Sequence, residues 1–313
     1  MSEVILFGEP MAMFVANTAG SLHEAEEFKR FLAGAEVNVA IGLKRLGHTV
    51  TYVTRLGEDP FGVYIENKLK EEGVNTKITK DPEHFTGYQL KNQVLKGDPE
   101  VFYFRKNSAA SYLSEKDVDE LEFGEAKVLH MTGILPALSL SCRNATYRLI
   151  EKAREHGMLI SFDPNLRPTL WENKDIMIKV INDIASKADI VLPGVSEGLT
   201  LMGSENPKEI GEFYRKRGAK SVIVKVGADG AYVDSEQEKA FYHGYKVEKV
   251  VDTVGAGDGF AVGVLSAYLE GLSIKEMVDR GNAIGSIQVS VLSDNEGFPT
   301  NKELHDYMRR SAV

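Results

Sequence analysis

The segment DTVGAGD at residues 252–258 combines two carboxylates with three consecutive small residues. It lies between the strand-like run VEKVV and the run GFAVGVLSAYLEGL, whose residues have helical spacing. Gly255, Ala256 and Gly257 would let backbone N–H groups converge at the helix N-terminus, which favours an anion such as a phosphoryl group. Asp258, in the first helical turn, could then accept a proton from a neighbouring hydroxyl. Glycines that merely cap and pack the helix are the alternative, and the flanking carboxylates weaken it.

Two arginines, one within a strand-like segment and one just after another, could contact the same ligand. In the run FYFRKN, Tyr103 and Arg105 point to one side of a strand, and the two phenylalanines point to the other. Arg167 comes just after the run MLISFDPN, where a strand ends. A guanidinium pairs bidentately with a carboxylate, so two in one pocket suit an anionic substrate. From the residues alone, solvation or pairing with protein carboxylates stays open, because most arginines are bound in those ways.

These residues must be positioned by a chain that alternates β-branched runs with amphipathic helical patterns. We predict strands at 4–8, 49–57, 127–133, 158–165, 188–194 and 221–227, and helices at 37–47, 60–73, 139–156, 173–186 and 206–217. The alternation predicts an α/β fold with a doubly wound, mostly parallel sheet and helices on both faces. Ligands are expected at the carboxyl ends of the strands.

Two segments, 11–32 and 86–106, interrupt this alternation with strand patterns that no helix separates from the next strand. Within them, TGYQLKNQV and EVFYFRKN are typical of a hairpin, joined at Gly97-Asp98-Pro99. We predict a small antiparallel β-sheet that acts as a lid over the strand ends, although a purely decorative sheet is the alternative. The predicted large domain then comprises 1–10, 33–85 and 107–313. Exposed lid strands could pair between two copies, which predicts a homo-oligomer formed through the lid.

The composition of the chain limits the kinds of partner that it can bind. The 313 residues carry a net charge of −9, so the chain lacks the positive field that nucleic acids and anionic membranes require. A single cysteine, Cys142, excludes an internal disulfide and a cysteine-based metal site. The N-terminal run MSEVILFGEP has no basic leader region, and no apolar stretch approaches the length of a membrane span. We therefore expect a cytoplasmic protein that binds neither nucleic acid nor membrane.

Two motifs resemble those of one enzyme family, the ribokinase-like (PfkB) sugar kinases. Residues 252–258 resemble its C-terminal motif over their full length, and AGAEVNVA at 33–40, followed by Gly47 and Gly57, resembles its N-terminal motif. The resemblance extends over essentially the whole chain. It implies a ribokinase-like α/β domain with a β-sheet lid, and a sugar kinase that uses ATP with Mg²⁺. It also implies that Asp258 is the catalytic base and that the turn from Gly255 to Gly257 is the anion hole.

The resemblance further implies ligand contacts along the chain. Those for the sugar are Gly34, Asn38, Tyr88, Tyr103, Arg105, Arg167 and Asp258, and those for the nucleotide are Lys225, Gly227, Gly230, Gly257 and Asn282. For Lys225 and its glycines, a simple β-turn is an equally open interpretation. Asp252 would help to hold a monovalent cation such as K⁺. Glu197 matches the acidic end of a family N-x-x-E motif that influences Mg²⁺, although Gly194 replaces the asparagine of that motif.

The segments around Arg105 and Arg167 resemble those of 2-keto-3-deoxygluconate kinases within this family. That resemblance implies phosphorylation of 2-dehydro-3-deoxy-D-gluconate to its 6-phosphate, with a sugar acid and ATP as the small-molecule partners. A neutral-sugar kinase such as fructokinase is the alternative. A sugar-binding regulator without catalysis is disfavoured, because Asp258 and the anion-hole glycines are present.

Overall fold

The computed structural model describes residues 2–94 and 99–310. Its strands are β1 Val4–Phe7, β2 Met11–Ala19, β3 Phe28–Ala33, β4 Val50–Gly57, β5 Asn75–Asp81, β6 Tyr88–Gln93, β7 Val101–Phe104, β8 Val128–Thr132, β9 Leu159–Asp163, β10 Ile190–Val191, β11 Ser221–Lys225, β12 Gly230–Ser235 and β13 Lys239–His243. Its α-helices are α1 Ala35–Arg45, α2 Pro60–Glu71, α3 Glu115–Asp119, α4 Leu135–Leu138, α5 Leu140–Glu155, α6 Lys174–Ser186, α7 Val195–Met202, α8 Pro207–Arg215, α9 Ala256–Leu269, α10 Ile274–Gln288 and α11 Asn301–Arg310. Each predicted strand and helix of the α/β alternation is present, although β10 is much shorter than the run 188–194.

Nine strands form one sheet in the order β13-β12-β11-β10-β9-β8-β1-β4-β5. Neighbours from β5 to β11 are parallel, and β12 and β13 add an antiparallel edge. Strand β1 pairs with β4 on one side and β8 on the other, so that Val4 lies level with Val50 and Val128. The chain winds outward in both directions from β1. The carboxyl ends of β1 and β8 therefore flank a switch point of the kind at which such sheets bind ligands.

Helices cover both faces of this sheet, because alternate residues of a central strand enter different cores. In β1, Ile5 and Phe7 join a core that includes residues of α5, α6 and α8. Val4 and Leu6 join the core on the other face, with residues of α1, α9 and α10. A strand buried on both faces needs an uninterrupted apolar run, which VILF supplies. The predicted doubly wound α/β fold is confirmed.

A second, four-stranded sheet has the order β3-β2-β6-β7. The pairs β2–β3 and β6–β7 are antiparallel, which confirms the predicted hairpin pairing; residues 97 and 98 of its predicted turn lie outside the described residues. The central pair, β2–β6, is parallel, with Ala12 opposite Tyr88. Both of these strands follow a strand of the large parallel sheet, β1 and β5 respectively, and so they leave the same edge in the same direction. The sheet thus stands over the edge at which ligands are expected.

Helix α9 carries the candidate base, and glycines allow its neighbours to approach it closely. A Cβ on Gly263 would lie 2.4 Å from the backbone nitrogen of Gly281 in α10. A Cβ on Gly42 of α1 would lie 2.5 Å from a methyl carbon of Val262. Only glycine fits these two contacts, which fix the direction in which α9 points. Although α9 is apolar on most sides, none of the described helices is long and apolar enough to cross a bilayer.

Candidate active site

The turn before α9 has a backbone that requires glycine. Gly255 has φ 82°, and a Cβ there would lie 2.2 Å from the carbonyl oxygen of Asp294. Gly257, by contrast, lies in the first turn of α9, and a Cβ on it would meet only the Lys225 ammonium, at 3.5 Å. The N-terminal N–H groups of α9 and a lysine therefore converge on one small space. Such a space attracts an anion of phosphoryl size.

Asp258 lies in the first turn of α9, where its side chain is buried. Its Oδ2 accepts a hydrogen bond of 2.8 Å from Asn38 Nδ2, and its Oδ1 accepts one of 3.3 Å from Asn165 Nδ2. Burial raises the pKa of Asp258 to about 7; the carboxylates of Asp163 and Asp294 add to this rise, while Arg167 opposes it. A buried carboxyl with a pKa near neutrality is suited to general-base chemistry.

Asn38 is itself oriented by the loop after α10. Its Oδ1 accepts a hydrogen bond of 2.8 Å from Asn295 Nδ2, so its amide nitrogen must face Asp258. Gly34, which precedes α1, has φ 131°, and a Cβ there would lie 2.6 Å from the carbonyl oxygen of Glu9. The N-terminal motif thus brings the Asn38 side chain to the candidate base, Asp258, and leaves the backbone at Gly34 uncovered by a side chain.

An ion pair links the ends of two parallel strands beneath the turn. Lys225 Nζ at the end of β11 lies 2.6 Å from Asp163 Oδ2 at the end of β9. Burial raises the pKa of Asp163 to about 6, although Lys225 opposes the rise. Burial also disfavours the Lys225 ammonium, but Asp163 and Glu197 outweigh it and raise the pKa of the lysine. Lys225 therefore stays charged, and it faces the anion hole.

Asp163 and Asn165 were not among the predicted site residues. They belong to the segment DPN after β9, which drew attention only because Arg167 follows it. A signal was present, since Asp-Pro-Asn directly after a buried strand places polar groups at the ligand-binding edge. Asn165 has φ 38°, an uncommon value for a residue with a side chain. Such strain is typical of residues held in place at functional sites.

A cavity of about 720 Å³ lies between the large sheet and the four-stranded sheet. Its lining includes most of the residues predicted to contact the sugar, namely Gly34, Asn38, Tyr103, Arg105, Arg167 and Asp258. From the large sheet it also has Asp163, Asn165 and Lys225, and from the second sheet Gln89 and Lys91. The cavity is therefore polar, with charges of both signs, and the candidate base opens into it.

The two arginines have different surroundings in this cavity. Arg105 is buried, and its Nε lies 2.6 Å from Glu9 Oε2, so the guanidinium already pairs with a protein carboxylate. Ser108 also donates a hydrogen bond to Glu9. Arg167 Nη1 donates to the carbonyl oxygen of Leu166 at 2.9 Å, and among the described residues Arg167 forms no ion pair. Arg167 is thus the arginine whose charge is not already paired with a carboxylate of the described residues.

Tyr88 does not line this cavity, which corrects its predicted contact with the sugar. Its ring stacks on Phe104, with centroids 4.7 Å apart, and lies near Phe61. The strand register explains the difference, because Tyr88 is opposite Phe104 whereas Gln89 is opposite Tyr103. Residues directly opposite each other share a face of the sheet. Gln89 therefore faces the cavity in place of Tyr88.

A second cavity, of about 760 Å³, adjoins the first. It is lined by Gly227 and Gly230 of the turn after β11 and by Asn282 of α10, together with apolar residues such as Val250 and Phe260. The first three are residues expected to contact the nucleotide, and that role stays a prediction. Asn282 Nδ2 donates to the carbonyl oxygen of His243 at 3.2 Å. Lys225, Thr253 and Gly257 line both cavities. The two spaces therefore meet at the candidate anion hole, beside Asp258.

The two carboxylates predicted to bind cations already have protein partners. Glu197 accepts hydrogen bonds from the backbone N–H groups of Leu166, at 2.9 Å, and Gly194, at 2.7 Å. Asp252 Oδ2 accepts a hydrogen bond of 2.5 Å from Lys91 Nζ. Within residues 2–94 and 99–310, no group of three or more His, Cys, Asp or Glu side chains is arranged to hold a metal ion. A role for Glu197 or Asp252 in cation binding stays a prediction.

Comparison with known proteins gives one consistent result. Residues 1–301 match the family described as pfkB family carbohydrate kinase. The chain is 47% identical over 308 residues to 2-dehydro-3-deoxygluconokinase of Bacillus subtilis, covering 98% of this chain and 95% of that protein. It is 32% identical over 322 residues to a protein of Arabidopsis thaliana named "Probable fructokinase-6, chloroplastic", covering 99% of this chain and 83% of that one.

Solved structures agree. The crystal structure of a PfkB protein from Polaromonas sp. JS666 has a TM-score of 0.89 and 45% identity, covering 97% of this chain and 99% of that chain. A candidate Ribokinase II from Escherichia coli, in complex with ATP and Mg²⁺, has a TM-score of 0.91 and 26% identity, covering 99% of this chain and 100% of that chain.

Proposed function

The chain belongs to the pfkB family of carbohydrate kinases, and we propose that within this family it phosphorylates 2-dehydro-3-deoxy-D-gluconate to its 6-phosphate. The observation that carries the choice of a sugar acid is Arg167, whose guanidinium lines the cavity beside Asp258 and forms no ion pair with a carboxylate of residues 2–94 or 99–310. A ligand carboxylate can accept the remaining N–H groups, and such charge-assisted bonds are the strong ones. The similarity to the Bacillus subtilis enzyme points to the same substrate.

The chemistry follows from the meeting of the two cavities. The sugar hydroxyl would lie beside Asp258, and the γ-phosphoryl group of ATP would lie at the anion hole. The hydroxyl oxygen forms a bond to the γ-phosphorus while the bond to the β,γ-bridging oxygen breaks, and the leaving group is ADP. The hydroxyl proton passes to Asp258. The N–H groups of α9 and the Lys225 ammonium stabilise the negative charge on the transferred group, so that most of the catalysis is positioning and electrostatics.

ATP and Mg²⁺ fit the residues on the nucleotide side. The apolar part of the second cavity suits a nucleobase, and Gly227, where a Cβ would meet nothing within 4 Å, leaves room for phosphates. Mg²⁺ prefers carboxylate, phosphate and water oxygens. Asp163 and Glu197 would hold it together with the nucleotide, since each Glu197 oxygen accepts only one backbone N–H. The ion would neutralise charge on the phosphates during transfer.

A neutral-sugar kinase, such as a fructokinase, is the second candidate. The observation that favours it is the ion pair between Glu9 and Arg105, because a carboxylate in the sugar cavity repels an acidic substrate. ATP turnover with a panel of sugars separates the candidates. Our proposal expects 2-dehydro-3-deoxygluconate to give the highest kcat/KM. Preference for fructose would favour the second candidate, and failure to turn over any sugar would favour a binding protein.

The second sheet is proposed to be the lid of the sugar site, with segments 11–32 and 86–106 forming it. What supports this is the position of Tyr103, Gln89 and Lys91 on its cavity face. Its other face carries Phe102 and Phe104, which are 50% and 42% exposed. Exposed aromatic residues on a small sheet are typical of an interface, so we propose that two copies associate through their lids.

A further inference from the structure

Lys91 is a buried cation that the phosphoryl-transfer chemistry does not use. It lies on β6, in the lid sheet, and its side chain is 1% exposed. Its Nζ is 2.5 Å from Asp252 Oδ2 and 3.5 Å from Asp294 Oδ1. Both carboxylates are buried too. An ammonium is rarely withdrawn from water in this way unless its charge is compensated and its position is required.

Both carboxylates belong to segments that shape the anion hole. Asp252 begins the turn, and its Oδ1 accepts a hydrogen bond of 3.1 Å from the backbone N–H of Val254. The backbone of Asp294 packs against Gly255, since a Cβ on that glycine would overlap its carbonyl oxygen. The next residue, Asn295, orients Asn38 toward the base. Lys91 therefore bridges the two segments that pack around Gly255.

We propose that Lys91 is a positioning residue that acts as a resident cation: its ammonium neutralises Asp252 and Asp294 and holds the anion-hole turn, so that no monovalent cation is needed there. This disagrees with the predicted K⁺ at Asp252. The carboxylate oxygen such an ion would use is already bound by the ammonium, and two cations at that distance repel. The proposal rests on the kinase activity of the family and not on the identity of the sugar.

A second consequence concerns the lid. Because Lys91 is on β6 and its partners are in the large domain, the charge that stabilises the anion hole is delivered by the lid sheet. The turn would hence have its full support only when the lid strand is in place. Closure of the lid over the sugar would therefore be coupled to the ordering of the anion-hole turn.

The test compares salts at equal ionic strength, with whichever sugar the wild-type enzyme phosphorylates fastest. We expect the wild-type kcat in tetramethylammonium chloride to be within about two-fold of that in KCl, because the ammonium is built in. Lys91→Ala should lose about ten-fold or more in kcat in tetramethylammonium chloride, and K⁺ or NH₄⁺ should restore part of it by entering the vacated space. Lys29→Ala, which removes an exposed lysine from β3 of the same sheet, is the matched control and should behave as wild type.

Three results would overturn the proposal. One is activation of the wild-type enzyme by K⁺ of about five-fold or more. Another is a folded Lys91→Ala enzyme with wild-type kcat in both salts, and the third is a loss of kcat that neither K⁺ nor NH₄⁺ restores. Should Lys91→Ala fail to fold by circular dichroism, the wild-type salt comparison still decides. A wrong sugar assignment would change the substrate used in these assays but none of the expected ratios.

Discussion

Asp258 is held between groups that shift its pKa in opposite directions. Burial raises the pKa to about 7, whereas the hydrogen bond from Asn38 lowers it. A carboxyl with this pKa is ionised often enough at neutral pH to accept a proton, and it is basic enough to take one from a hydroxyl late in the reaction. On the proposal that Asp258 is the base, the residues around it determine the pH range in which the enzyme works.

Replacing Asp258 by asparagine should lower kcat by about 10²–10⁴-fold, because the amide cannot accept the proton. In the wild-type enzyme, kcat/KM should fall as the pH drops below about 7, since protonation removes the base. Asn38→Ala deletes the hydrogen bond that lowers the pKa, so the acid limb should move to higher pH. Initial rates between about pH 5 and 9 measure all three effects. An Asp258→Asn enzyme within a few-fold of wild type would rule out this base.

Local sequence patterns can propose single site residues, but they do not indicate the partners of those residues. The candidate anion hole and Asp258 lie within seven consecutive positions, so local spacing is enough to propose them. Arg105 and Glu9 are 96 positions apart, and Lys91 and Asp252 are 161 apart. Which carboxylate each cation meets depends on the register and position of the lid sheet, which local patterns do not encode. The error at Tyr88 has the same origin, because only the pairing with β7 fixes which face it occupies.

Helix α9 uses glycine for two different purposes. Gly257 leaves open the space beside Lys225 that is the proposed anion hole, and Gly263 leaves space for α10. Both residues have helical backbone conformations, so alanine is compatible with the main chain at either position. The two positions therefore make a matched pair in one helix, with one expected to affect function and the other stability.

Gly263→Ala should reduce the free energy of unfolding by about 1–3 kcal/mol, because its Cβ would overlap the α10 backbone. Gly257→Ala should leave stability nearly unchanged and lower kcat/KM, because its methyl group would occupy the anion hole beside Lys225. Denaturant unfolding and steady-state kinetics on both variants measure the contrast. Equal losses of stability, or full activity in Gly257→Ala, would contradict these roles for the two glycines.

At the scale of the whole molecule, the proposed sugar cavity is enclosed by two sheets that meet through β1–β2 and β5–β6. The large sheet could be predicted because its strands alternate with helices in a regular pattern. The parallel pairing of β2 with β6 could not be predicted, because the opposite residues Ala12 and Tyr88 are 76 positions apart in the chain. Only the assembled sheet brings such distant residues into contact. The lid boundaries at 11–32 and 86–106 stay predictions.

Closure of the lid should accompany sugar binding, because the cavity must exclude water from the γ-phosphate. Small-angle scattering with and without sugar should show a decrease in the radius of gyration, and crystal structures should show segments 11–32 and 86–106 moving toward the large domain. A sugar that the enzyme does not phosphorylate is the control. Identical lid positions in both states would contradict a closing lid.

The comparison of kcat/KM for 2-dehydro-3-deoxygluconate and fructose, in the wild-type enzyme and in Arg167→Ala, tests the proposed function most directly. Hydrogen bonds to charged groups contribute roughly 1.5–3 kcal/mol, so the variant should lose about 10- to 150-fold on the sugar acid and far less on fructose. Arg167→Lys should recover only part of the loss, because an ammonium cannot make the forked contact. Arg105→Ala is a poorer probe, because it leaves the buried Glu9 unpaired. We predict a wild-type preference for the sugar acid that Arg167→Ala reduces; a preference for fructose, or equal losses on both sugars, would contradict the assignment.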